Sequence, residues 1–117
     1  MDLYLIRHGQ STSNRGDEPI DFPPLTDLGH TQAYLAGTAL KDVNPVKLYC
    51  SPMLRAVQTA QKIGSVINLD PQIIVELHEG GGVYTLAPGK KMGGLKRSKI
   101  LESSPNAILP KTVTDKG

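Results

Sequence analysis

The chain has 117 residues, of which 38% are hydrophobic, and it carries a formal net charge of +2. A chain of this length supports one hydrophobic core, and it contains no apolar run of about 20 residues that would predict a transmembrane helix. The single cysteine, Cys50, excludes an intramolecular disulfide. Since no signal-peptide pattern is present either, the sequence predicts a cytoplasmic protein without a membrane partner.

The charge is divided unevenly along the chain. Residues 1–79 contain six Lys and Arg against nine Asp and Glu, whereas residues 80–117 contain seven against two. The second part is also rich in Gly and Pro, which interrupt regular elements. We therefore predict an α/β core over residues 1–79. Residues 80–117 are predicted to form a Gly/Pro/Lys-rich, largely irregular and mobile segment with one short basic helix within Met92–Leu101.

The first elements of the predicted core are a strand and a helix. The continuous apolar run Leu3–Ile6 predicts a strand that is covered on both faces. Thr26 predicts the N-cap of a helix that ends before Asn44-Pro45. The apolar positions of this helix follow helical spacing and are Leu28, Leu35, Ala36, Ala39 and Leu40.

Two further strands and one more helix are predicted downstream. Val46–Tyr49 and Ile73–Val75 are short apolar runs typical of strands, and Met53–Asn68 between them has the period of an amphipathic helix. Strands that alternate with helices favour a mainly parallel sheet with helices packed on its faces. The predicted fold class is therefore α/β, with three layers.

Polar side chains follow each predicted strand. Arg7 and His8 follow the first, Arg55 begins the helix after the second, and Glu79 follows the third. In open parallel sheets, ligands bind at the carboxyl ends of the strands. Two guanidinium groups beside an imidazole are suited to an anion such as a phosphate. The pattern therefore predicts a phosphate site at this edge of the sheet.

Four sequence blocks in this order resemble the histidine phosphatase superfamily, which includes phosphoglycerate mutases and many phosphomonoesterases. They span residues 3 to 79, about two-thirds of the chain. The blocks are Leu5-Ile6-Arg7-His8-Gly9-Gln10-Ser11 with Asn14; Pro24-Leu25-Thr26 with Gly29 and Gln32-Ala33; Ser51-Pro52 with Arg55, Gln58, Thr59 and Ala60; and Leu77 with Glu79.

The resemblance implies a phosphoglycerate mutase-like fold and a phosphomonoester hydrolase. It makes His8 the nucleophile that accepts the phosphoryl group and Glu79 the proton donor to the leaving group. It also implies that Arg7, Asn14 and Arg55 hold the phosphate oxygens. Because transfer through a phosphohistidine relies on positioning and electrostatics, no metal or other cofactor is expected. The expected substrate is a phosphorylated small molecule or a phosphoprotein.

One departure from the family concerns a second essential histidine, which the family carries in a late Gly-His element. His30 lies within the first predicted helix and is expected at the surface, and His78 alternates with Glu79 and is expected to point away from it. We therefore expect an incomplete phosphate pocket in an apparently truncated fold. Such a fold leaves a sheet edge uncovered, which predicts self-association.

Three alternatives stay open at this point. A phosphoglycerate mutase-type phosphotransferase is less favoured, because the chain has no Trp and lacks the longer acidic motif of that branch. A non-catalytic phosphate-binding or regulatory module would keep His8 and the arginines without turnover. Nucleic-acid binding is disfavoured, since the basic segment has no interleaved aromatic residues; its charges are Lys90, Lys91, Lys96, Arg97 and Lys99.

Overall fold

The computed structural model describes residues 2–18, 20, 22–77 and 95–115. Four helices are present in these ranges. They are α1 (Thr12–Arg15), α2 (Asp27–Leu40), α3 (Leu54–Ile67) and α4 (Arg97–Ser103). Two short strands, β1 (Tyr49–Cys50) and β2 (Gln72–Ile73), precede and follow α3, and a 3-10 turn covers Val75–Leu77.

Strands β1 and β2 are parallel, with Tyr49 opposite Gln72 and Cys50 opposite Ile73. Because α3 connects them, β1, α3 and β2 form the crossover unit expected for a parallel sheet. Ile108 adds an isolated parallel bridge to Gln72 on the other side. The predicted α/β class is confirmed, and so is the helix at Met53–Asn68. Two parallel strands flank it as predicted, but their bounds differ, because β1 shares only Tyr49 with the run Val46–Tyr49 and β2 shares only Ile73 with the run Ile73–Val75.

The predicted strand at Leu3–Ile6 is wrong for this structure. All four residues are exposed, Leu5 to 88%, and none belongs to a strand. An apolar run becomes a buried strand only where other strands and helices cover it. Within the described ranges, the two-stranded sheet is formed by β1 and β2, and Leu3–Ile6 pairs with neither strand.

Helix α2 begins as predicted, with the Thr26 hydroxyl accepting from the Gly29 amide at 3.1 Å. Its predicted apolar face is wrong, however, because Leu28 and Leu35 are more than half exposed. The buried residues are small, namely Gly29, Ala33 and Gly37. A Cβ on Gly37 would lie 3.0 Å from the Val66 Cβ and 3.2 Å from the Ile63 Cα. Close approach of α2 to α3 therefore selects the small-residue face.

The core lies between α3, the strands and the second part of the chain. Its buried members include residues from both predicted parts and are Cys50, Val57, Ala60, Ile73, Leu95, Ile100 and Val113. The expected short basic helix is present as α4, with Ile100 fully buried. Outside α4, residues 95–115 contain no further helix or strand, as predicted, but the segment packs on the core through Leu95, Ile100 and Val113. Composition alone does not predict this packing, because it depends on where the few apolar side chains of the segment lie.

Candidate functional site

The loop at residues 9–11, which leads into α1, is held by hydrogen bonds to α2 and its N-cap Thr26. The Gln10 carbonyl accepts from the Thr26 amide at 2.9 Å, and the Gln10 side-chain oxygen accepts from the Thr26 hydroxyl at 2.8 Å. The Gln10 amide in turn donates to the Gln32 side-chain oxygen at 2.8 Å. These bonds fix the backbone that follows His8, although no strand precedes it.

His8 is engaged at both ring nitrogens. Its Nδ1 lies 2.6 Å from the Gly9 carbonyl oxygen, and its Nε2 lies 3.2 Å from the Nε of Arg55. A carbonyl can only accept and a guanidinium can only donate. The geometry therefore assigns the proton to Nδ1 and a lone pair to Nε2.

Arg55 approaches His8 from α3. It lies in the first turn of the helix, after the extended N-cap Met53, and is only 8% exposed. Burial of a permanently charged guanidinium is costly unless polar or anionic partners face it. Arg55 therefore brings a fixed positive charge next to the Nε2 of His8.

Asn14 closes a capping box at the start of α1. Its Oδ1 accepts from both the amide and the hydroxyl of Ser11 at 3.0 Å. The backbone amide of Asn14 donates to the Ser11 hydroxyl at 3.2 Å. Because this network occupies the side-chain oxygen, the Nδ2 group is presented as a donor.

A cleft of about 390 Å³ opens beside His8. Three of the four residues predicted to contact the phosphate line this cleft, namely Arg7, His8 and Asn14. Arg55 is not among the lining residues, but it contacts the Nε2 of His8. The remaining lining residues come from the loop, α2 and α3 and are Gly9, Gln10, Gln32, Ala33, Ala36 and Thr59.

Sequence reasoning did not assign Gln32, Ala36 or Thr59 to the site. A signal was present for two of them, since Gln32 and Thr59 belong to the blocks that carried the family resemblance. Ala36 follows Gln32 by four residues and so lies on the same face of α2.

The other predicted site residues are placed as follows. Glu79, the expected proton donor, and His78 lie outside the described residues. His30 is half-buried in the first turn of α2, and its amide donates to the Thr26 carbonyl at 2.9 Å. The structure thus brings His8, Arg7, Asn14 and Arg55 together. Their chemical roles stay predictions.

Among the described residues, no group of three or more His, Cys, Asp or Glu is arranged to hold a metal ion. In the same part of the chain, no helix has both the length and the apolar character needed to cross a membrane.

The chain matches the family model described as histidine phosphatase superfamily (branch 1) over residues 3–92. It is 42% identical over 65 residues to fructose-2,6-bisphosphatase TIGAR B of Danio rerio, covering 52% of this chain and 25% of that protein. It is 32% identical over 115 residues to an acid phosphatase of Mycobacterium tuberculosis, covering 92% of this chain and 50% of that protein.

Among solved structures, the chain resembles a mycobacterial glucosyl-3-phosphoglycerate phosphatase in complex with VO3. The TM-score is 0.56 at 28% identity, over 84% of this chain and 44% of that chain. The match therefore extends through most of the described fold. In all three comparisons, the chain spans half or less of the related protein.

Proposed function

The chain belongs to the histidine phosphatase superfamily, and on that premise we propose that it transfers a phosphoryl group from a phosphomonoester to His8 and then to water. In the first step the Nε2 of His8 forms a bond to phosphorus while the bond from phosphorus to the ester oxygen breaks. The leaving oxygen takes a proton from Glu79. Water then attacks the phosphorus as the bond from phosphorus to Nε2 breaks, and the proton that water loses returns to Glu79. This step releases inorganic phosphate and restores both the imidazole and the protonated Glu79.

The observation that carries the proposal is the state of the His8 ring. An imidazole is a nucleophile only through a nitrogen that holds a lone pair. The Gly9 carbonyl orients the Nδ1 proton, which leaves the lone pair on Nε2, the nitrogen that faces the Arg55 guanidinium. A phosphate drawn to that guanidinium would arrive next to the attacking atom.

The neighbouring donors are suited to a phosphoryl group in transfer. Charge spreads over its three equatorial oxygens, so that stabilisation comes from donors held around them. Arg7 and Asn14 line the cleft beside His8, and Arg55 supplies a third group. Of these donors, Arg55 has to move its N–H bond from the Nε2 of His8 to a phosphate oxygen, because Nε2 attacks phosphorus through the same lone pair.

A small phosphorylated molecule is the favoured substrate. The cleft of about 390 Å³ is in the range of small-ligand sites. Two of the similar proteins are named for phosphorylated sugars or sugar acids, fructose-2,6-bisphosphate and glucosyl-3-phosphoglycerate. A phosphoprotein would have to extend a single phosphorylated side chain into the same cleft.

The proposal is tested by incubating the chain with phosphoramidate, which donates its phosphoryl group directly to imidazoles. We expect an acid-labile phosphate on His8, located by mass spectrometry of peptides, and release of inorganic phosphate. His8→Gln should abolish the label. His30→Gln is the matched control, because His30 lies on α2 and does not line the cleft.

Other outcomes separate the alternatives. A label that forms but persists would contradict hydrolysis and indicate a chain that performs only the first half of the reaction. A label that leaves only when a second alcohol is added would indicate a mutase-type phosphotransferase. An unlabelled His8 together with saturable phosphate binding would refute the proposal in favour of a non-catalytic phosphate-binding module.

A further inference from the structure

The side chain of Thr59 links the two residues that meet at the site. Its hydroxyl accepts from the Gly9 amide at 3.1 Å and donates to the Arg55 carbonyl at 2.7 Å. Both bonds are buried, and Thr59 itself is only 6% exposed. A single hydroxyl therefore joins the loop that carries His8 to the turn of α3 that carries Arg55.

We propose that Thr59 is a positioning residue that fixes the ring state and orientation of His8. The proposal rests on the proposed function, since it concerns the nucleophile named there. Gly9 is held at both ends: its amide donates to Thr59, and its carbonyl accepts from the Nδ1 of His8. Holding the amide limits rotation of the Gly9 backbone, and Gly is the residue with most freedom to rotate. The Gly9 carbonyl lies in the next peptide plane, which the bond from the Gln10 amide to Gln32 holds. The Thr59 bond therefore keeps His8 aligned with a carbonyl that selects the Nδ1–H form of the ring.

Thr59 acts through His8 and not on the substrate, although it lines the cleft. A hydroxyl has one proton to donate, and that proton is directed at the Arg55 carbonyl. The acceptor side of the oxygen faces the Gly9 amide. A direct donation to a phosphate oxygen would require breaking the bond to Arg55.

Other threonines show what a purely helical role looks like. The Thr38 hydroxyl donates to the Tyr34 carbonyl at 3.0 Å on the exposed side of α2. This is the same bond to the residue four positions earlier that Thr59 makes to Arg55. For Thr38 the structure gives this helical bond alone, whereas Thr59 adds a bond to a residue 50 positions away. Thr38→Val is therefore the matched control for Thr59→Val.

The test compares Thr59→Val, Thr59→Ser and Thr38→Val in the full chain. The first readout is the nitrogen NMR spectrum of the labelled His8 ring without ligand, at a pH at which the ring is neutral. The second is the rate of His8 phosphorylation by phosphoramidate. Thr59→Val should shift the ring towards the Nε2–H form and slow phosphorylation about tenfold, because the buried Gly9 amide loses its acceptor. Thr59→Ser and Thr38→Val should keep both properties of the unmodified chain.

The proposal would be overturned if Thr59→Val kept the His8 ring form of the unmodified chain. It would also be overturned if Thr59→Ser changed the ring form and the phosphorylation rate as Thr59→Val does. The NMR readout requires no phosphorylation, so the two proposals fail separately. Suppose that the unmodified chain takes up no phosphoryl group, whereas the Thr59→Val variant loses the Nδ1–H form of His8. The proposed function is then refuted, and the positioning role of Thr59 is retained. A melting curve of each variant confirms that the ring is observed in folded protein.

Discussion

Replacing Gly29 by Ala tests how closely the His8 loop lies against α2. A Cβ built on Gly29 would overlap the carbonyl oxygen of Gln10 and lie 3.0 Å from its amide nitrogen. A Cβ on Gly9 would similarly overlap the Gly29 carbonyl oxygen. The two segments thus meet backbone against backbone, where no flexible side chain can move aside.

The expected cost follows from two opposing effects. Forcing an extra carbon into packed structure costs about 1–3 kcal/mol, while Gly to Ala within a helix gains up to about 1 kcal/mol. We therefore expect Gly29→Ala to lower the free energy of unfolding by roughly 1–2 kcal/mol, and the melting temperature by roughly 3–8 °C. The measurement is urea unfolding followed by circular dichroism.

A second variant measures the propensity effect separately. Ala39 lies in the same helix and is exposed, so Ala39→Gly should cost at most about 1 kcal/mol without touching the loop. Because Gln10 is displaced by the new Cβ, Gly29→Ala should also slow phosphorylation of His8, whereas Ala39→Gly should not. A Gly29→Ala chain as stable as the unmodified one would refute the close approach and the bracing of the loop inferred from it.

Three further predictions concern the rest of the molecule. Burial raises the pKa of the Cys50 thiol from 9.0 to about 12. The stability that comes from keeping this thiol protonated is fully present below pH 9, and the free energy of unfolding should fall by about 1.4 kcal/mol per pH unit as the pH rises from 9 towards 12. In urea unfolding at alkaline pH, Cys50→Ala should show a smaller fall. Ile100 is fully buried in α4, so Ile100→Ala should lower the free energy of unfolding by about 2–5 kcal/mol. The same change at Ile108, which is 51% exposed, should lower it much less in the same assay. Equal losses would contradict the packing of residues 95–115. If the uncovered run Leu3–Ile6 mediates self-association, Leu5→Lys should weaken that association, as measured by sedimentation. Because Leu5 is 88% exposed, the free energy of unfolding should change by less than about 0.5 kcal/mol. Unchanged association would exclude this surface.

The sequence predicted best what depends on local pattern. Helix α3 has a clear apolar period and begins and ends within one residue of Met53–Asn68. The N-cap at Thr26 was evident from its hydroxyl and the periodic run behind it. The meeting of His8 and Arg55 was also predicted, because both follow predicted strands and both belong to the blocks of the family resemblance.

The incorrect predictions concern what lies next to an element. Leu3–Ile6 has the composition of a buried strand, but burial depends on neighbours that its own sequence does not encode. The face of α2 was misjudged because Leu28 and Leu35 were expected inside, whereas close packing on α3 selects Gly37 and Ala33. Thr59 was missed as a site residue because its role lies in a bond to the distant Gly9.

The candidate site and the core share a single support. Helix α3 buries Val57 and Ala60 in the core, and it carries Arg55 and Thr59 to His8 and the segment that follows it. A helix held by core packing can place a guanidinium more precisely than a loop can. Because α4 packs against α3 through that core, loosening Ile100 should disturb the contact between Arg55 and His8 without any direct contact to either residue. The second part of the chain thus supports the candidate site through its packing on α3.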